Sequence, residues 1–190
     1  MTPWSLGLER LSSKIRPKIG EPYKLEEPAD DLEENILAVQ ANLALTYSNL
    51  GRREEALCIE RDVYSGSLKL FGKEHERTVI AANNYASSLS YLNRFEEAKA
   101  LLRKTLPVAR RVLGESHELT FRMRWIYGRA LSDDPNATLD DLREAVMTLD
   151  DAGRTARRVL GGSHPLTVSI KLRLRDARAV LAARETPSAS

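Results

Sequence analysis

What this chain lacks narrows it first. Its 190 residues include one cysteine, which excludes an internal disulfide framework and a cysteine-rich zinc module. No apolar run approaches the roughly 18 residues of a membrane span. Neither sign of charge dominates: 29 basic against 27 acidic residues leave +2, so net charge draws the chain to neither nucleic acid nor a membrane surface. There is no phosphate-cradling Gly loop and no nucleophile elbow. Cys58 has no base placed beside it and reads as a small, half-buried helix residue. The expectation is therefore no catalytic residue, no metal ligand, no cofactor and no membrane partner. The opening MTPWSLGLERLSSKIRPKIG lacks the basic stretch and long apolar core of a secretory signal, so a soluble cytoplasmic protein is expected.

What is present is repetition, which precedes every other reading. LFGKEHERT (70–78), VLGESHELT (112–120) and VLGGSHPLT (159–167) share the pattern apolar-apolar-Gly-x-x-His-x-x-Thr. Their glycines, Gly72, Gly114 and Gly161, lie 42 and 47 residues apart. ANLALTYSNLGRREEA (41–56) aligns with NNYASSLSYLNRFEEA (83–98) at the same offset of 42. A third copy, Ile126 to Ala145, carries five extra residues around Asp133 to Leu139. Insertions of this kind map to loops. The region before the first copy reads PADDLEENI and has no Gly-x-x-His signature.

Each unit contains two helical patterns. Ala98, Leu101, Leu102, Thr105, Leu106, Ala109, Val112 and Leu113 recur at the 3.6-residue period. Ala145 to Leu160 repeats that stripe, and Ala56, Ile59, Val63, Ser67, Leu70 and Phe71 follow it more loosely. The first helix of each unit pairs a large residue with a small one: Leu43-Ala44, Tyr85-Ala86 and Tyr127-Gly128. The small partner allows close helix approach, and Ala56, Ala98 and Ala145 supply the matching position. Gly51 and Asn93 suit a left-handed helix end, as do Gly72, Gly114 and Gly161. Ser116 and Ser163 are the expected N-caps, and Thr138 with Asp141 forms a capping arrangement. Pro107 removes an amide donor inside a helix, and a bend rather than an end is expected there. The chain divides into an irregular lead (1–30, with a short helix near Leu6 to Ile15) and an array over 31–184. The array comprises units 31–72, 73–114 and 115–161 and a closing helix over 164–184. A disordered tail, 185–190, follows. About three stacked pairs are needed to bury a continuous core.

At these residues the chain resembles the tetratricopeptide repeat (TPR) family, and most of all the 42-residue variety of kinesin light chains. The resemblance rests on Asn42-Leu43-Ala44, Tyr47, Gly51 and Glu54-Glu55-Ala56, on Asn83-Asn84, Ala86 and Arg94 to Ala98, and on Leu160-Gly161, His164-Pro165 and Thr167. It covers about Leu32 to Ala183. It implies an all-α fold, a right-handed α-α superhelix of about three helical hairpins plus the closing helix. It also implies a non-catalytic scaffold or adaptor that holds a partner peptide or protein segment in a concave groove lined by first helices, as a member of a larger complex. The implied groove positions are Ala38, Ala41, Asn42, Leu45 and Asn49 in the first copy and Ile80, Asn83, Asn84, Ser87 and Tyr91 in the second. Arg122, Trp125, Ile126 and Arg129 follow in the third, with Arg173 on the last helix. Asn amides pair with an extended backbone, Arg forks onto carboxylates and Trp is a common hot spot. The set favours an acidic partner bound toward the C-terminal half.

The alternative reading is a helical-repeat RNA binder. It would use the basic stretch Arg103, Lys104, Arg110, Arg111, Arg122, Arg124 and Arg129, joined by Arg154, Arg157, Arg158, Lys171, Arg173 and Arg175. A metal site on His75, His117 and His164 is the weakest reading. One histidine per repeat places them too far apart to share bonds of about 2.1 Å, so each is expected to pack or hydrogen-bond within its own turn.

Overall fold

The computed structural model describes residues 29–186. The expected irregular lead, apart from Ala29 and Asp30, lies outside the described residues, as do 187–190 of the expected tail. Among the described residues there are seven helices and no strand: α1 (Ala29–Asn49), α2 (Arg53–Phe71), α3 (Glu76–Tyr91), α4 (Phe95–Val112), α5 (Glu118–Ser132), α6 (Leu139–Leu160) and α7 (Pro165–Glu185). Each helix packs on the next, and α3 also packs on α5 and α5 on α7. Helix α1 packs on α2 but makes no comparable contact with α3. The result is a stack of antiparallel hairpins, an all-α solenoid, with a gap between its first two first-of-pair helices.

The repeated Gly-x-x-His-x-x-Thr signature is a turn with a specific hydrogen-bond economy. Gly72, Gly114 and Gly161 take φ of 81°, 94° and 91°, a left-handed conformation that costs glycine nothing. The following helix is capped by the histidine itself. The backbone N–H groups of Arg77, Leu119 and Leu166 donate to Nδ1 of His75, His117 and His164 at 3.2, 3.2 and 3.3 Å. This corrects the expectation that Ser116 and Ser163 are the caps: each serine precedes a residue that is already the cap. The threonine hydroxyls of Thr78 and Thr120 donate to the carbonyls of Gly72 and Gly114 at 2.7 and 2.8 Å, tying the new helix to the old one. Asn93 (φ 59°) is the one left-handed non-glycine described, at the position of Gly51 in the preceding unit. Thr138 and Asp141 form a reciprocal capping box at the start of α6, and α4 runs through Pro107 to Val112.

The core follows the small-residue positions. Ala44, Ala56, Ala86, Ala98 and Ala145 are all fully buried. The closest approach is at Gly128, where an added Cβ would lie 2.5 Å from Cγ of Leu149. The continuous apolar cluster runs from Val79 to Ala177 across α3 to α7. Among its described side chains helix α1 contributes only Ala44 to the buried core and exposes Leu32, Ile36, Val39 and Leu43. Cys58 is exposed, not half-buried; it shares its outward register with Ala100 and Met147, both also exposed.

Candidate functional site

Two features stand on the side formed by the first helices. One is a polar cluster spanning α3, α5 and α7. The guanidinium of Arg129 lies 4.7 Å from the ring centroid of Tyr91, a cation–π contact. Its Nε donates to Asp133 at 3.3 Å, and Arg173 donates to the other oxygen of Asp133 at 2.6 Å. Three of the residues named from sequence, Tyr91, Arg129 and Arg173, are thus brought together. The residue that joins them, Asp133, was not among those named. It lies where the second unit has Tyr91, one helix turn beyond Arg129, and only the i,i+4 spacing hinted at the pair.

The other feature is a cleft of about 140 Å³ between α1, α2 and α3. Its walls include Leu37, Ala38, Ala41, Val63 and Ile80, and Glu60 and Asn84 also line it. At its rim Arg77 forms an ion pair with Glu34. Burial pushes the Glu60 carboxyl above the usual carboxylate range, against a hydrogen bond from Ser88. Its Oε2 is buried without a hydrogen-bond partner.

The remaining sequence-named residues are distributed differently. Asn42 and Asn49 are exposed on α1. Arg122 is exposed and paired with Glu118 at 2.9 Å. Asn84 is half-buried and accepts at 3.1 Å from the amide of Asn83. Asn83 itself is only 4% exposed and Ile126 2%, so neither presents a side chain to a ligand, a correction to the groove assignment. Both were groove positions implied by the family resemblance; in this chain the packing of α3 on α5 buries them. Trp125 is half-buried and packs on the apolar cluster.

The basic stretch is largely compensated. Arg103 donates to the Tyr127 hydroxyl at 2.9 Å, and that hydroxyl donates to Glu144 at 2.6 Å. Burial first, then Glu144, pushes the Tyr127 phenol up to about 12. Arg124 is buried against Asp151, Arg110 pairs with Glu115, Arg111 with Glu74, Arg154 with Asp150 and Arg175 with Asp176. Among the described residues no group of three or more His, Cys, Asp or Glu is placed to hold a metal ion. No described helix is long and apolar enough to cross a membrane.

Stacked antiparallel hairpins with glycine-ended, histidine-capped turns define a helical-repeat protein. Residues 36–77 and 78–118 match the model of the tetratricopeptide repeat. No curated protein matches the sequence. Among solved structures, the crystal structure of BtubC (BKLC) from P. vanneervenii is similar at 18% identity and a TM-score of 0.46, over 88% of this chain and 72% of that one.

Proposed function

We propose that the chain is a non-catalytic interaction module that holds an extended segment of a partner protein across α1, α3 and α5, as one component of a larger complex. Tetratricopeptide repeats generally mediate protein–protein interaction, and the observation that carries the reading here is the Tyr91–Arg129–Asp133–Arg173 cluster. It joins three successive first helices through side chains that remain partly accessible. Two guanidinium groups face one carboxylate, so the cluster retains positive charge. A partner carboxylate would compete with Asp133 for arginines already oriented to donate. Acidic character is therefore proposed for the partner near α5 and α7. The pairing of most arginines within the chain favours this reading over RNA binding, which needs cations free for phosphate.

The test uses the full chain to capture partners, identifies them by mass spectrometry and measures the affinity of each as purified protein. The doubly substituted chain, Asn84→Ala with Arg129→Gln, is compared after circular dichroism confirms its helices. A loss of about tenfold or more in affinity is expected. Undiminished binding by the folded variant overturns the groove assignment.

A further inference from the structure

We propose that the cleft between α1 and α3 is a receptor for one lysine side chain of the bound partner segment, with Glu60 accepting its ammonium group. The inference rests on the reading of the chain as a peptide-binding array and adds a chemical requirement to it.

Three observations converge on Glu60. The first is register. Ala56, Ala98 and Ala145 open the same stripe on α2, α4 and α6. One turn later the second and third units place Leu102 and Leu149, both fully buried. The first unit places Glu60 there. A carboxyl group has replaced a core leucine in only one of the three units. The second is the state of that carboxyl: Oε2 is shut away from water and has no donor. A buried acceptor without a partner opposes folding, and a cation drawn up to the same carboxylate would offset that cost. The third is the space beside it. Because α1 does not close onto α3, the floor formed by α2 is reachable through a cleft of about 140 Å³, far above the roughly 15 Å³ that one water needs.

The walls select the ligand. Leu37, Ala41, Val63 and Ile80 offer apolar surface along which a four-carbon stem lies while its charged head continues inward. At the inner end a point charge with three donors meets the Glu60 carboxylate and the amide oxygen of Asn84, which has one lone pair left after accepting from Asn83. The planar fork of arginine is best met by two parallel acceptor oxygens open to the ligand, and Oε2 of Glu60 is closed off. The other charges lining the cleft, Arg77 and Glu34, neutralise each other. The ligand so described carries a lysine near α1 and α3 and acidic groups toward α5 and α7, which fixes its direction along the array.

The test is selection from a displayed library of random dodecapeptides on the full-length chain and on Glu60→Gln, which keeps the shape and removes the charge. Lysine enrichment at one position is expected with the unsubstituted chain and none with Glu60→Gln, although peptides are still selected. Acetylating that lysine in the best peptide should weaken binding about tenfold to the unsubstituted chain and by no more than about twofold to Glu60→Gln. Selected peptides without lysine preference, or with the same preference on both chains, overturn the lysine receptor and leave the interaction module standing. Selection of no peptide at all overturns both.

Discussion

Lys99 on α4 and Asp134 in the loop before α6 form an ion pair of 2.8 Å with side chains only 3% and 4% exposed. The loop is the insertion that lengthens the third unit, and this contact anchors it to the second. Arg184 of α7 holds the same loop from the other side by donating to the Ala137 carbonyl at 2.6 Å. The insertion is thus a docked element held by α4 on one side and α7 on the other.

Removing one partner should therefore cost more than removing both. Lys99→Ala leaves Asp134 buried without its cation, and a loss of about 3–5 kcal/mol is expected. Lys99→Met combined with Asp134→Leu should recover most of it, measured by urea denaturation. The pair also sets an acid limit. Burial works against the ionised Asp134, but Lys99 and the Asn136 N–H outweigh it and hold the carboxyl below its usual range. Its stabilising contribution is complete above about pH 4 and is lost as pH falls through the lowered folded-state value.

The histidine caps carry a second expectation. His117→Ala removes the acceptor for the Leu119 N–H and should destabilise the fold by about 1 kcal/mol. His117→Ser and His117→Asn place a new acceptor at the same N-cap and should restore most of the loss. A common decrease for all three would mean that ring packing, not capping, is the histidine's role. Thermal unfolding of the three variants separates the cases.

Period and punctuation were legible because they are local. Gly72, Gly114, Gly161, Asn93 and the Thr138–Asp141 box depend on backbone conformation within a few residues, and the pattern repeats often enough to be seen. The capping atom was misassigned to Ser116 and Ser163 because serine is the commoner cap, although the adjacent histidine recurs in all three turns. Side-chain direction was legible only in part. The burial of Asn83 and Ile126 depends on how α3 meets α5, and Asp133 acquires its role only when Arg173 arrives from 40 residues away. Glu60 could have been found earlier by aligning the three second helices, where it alone breaks a column of leucines.

Gly128 tests the close approach of α5 to α6. Alanine is the better helix former by about 1 kcal/mol, and Ala86 occupies the same place in the second unit. Here, however, a methyl group would meet three side-chain atoms of Leu149 within 2.8 Å, and Leu149 is fully buried. Overpacking of about 1–3 kcal/mol should outweigh the propensity gain. Gly128→Ala is expected to lower the melting temperature, and adding Leu149→Val should recover part of the loss. Additive effects in that double-mutant cycle would show that the two positions do not compete for space.

Glu60→Leu restores the residue type of the other two units and removes a buried carboxyl oxygen that has no partner. It should raise stability at pH 7 by roughly 1 kcal/mol. The gain should depend on pH in a defined direction. Burial raises the folded-state value of Glu60 above the unfolded value of about 4.3. Its contribution to stability is therefore fully present below about pH 4 and is lost as pH rises through the folded-state value. The advantage of Glu60→Leu over the unsubstituted chain should widen from pH 4 to pH 7, followed by denaturant midpoints across that range. A pH-independent difference would indicate that the carboxyl is as well solvated in the folded chain as in the unfolded one. A more stable chain that has lost its lysine preference would show why this unit keeps an acid in a leucine's place: the group destabilises the empty fold and is satisfied only when a ligand arrives.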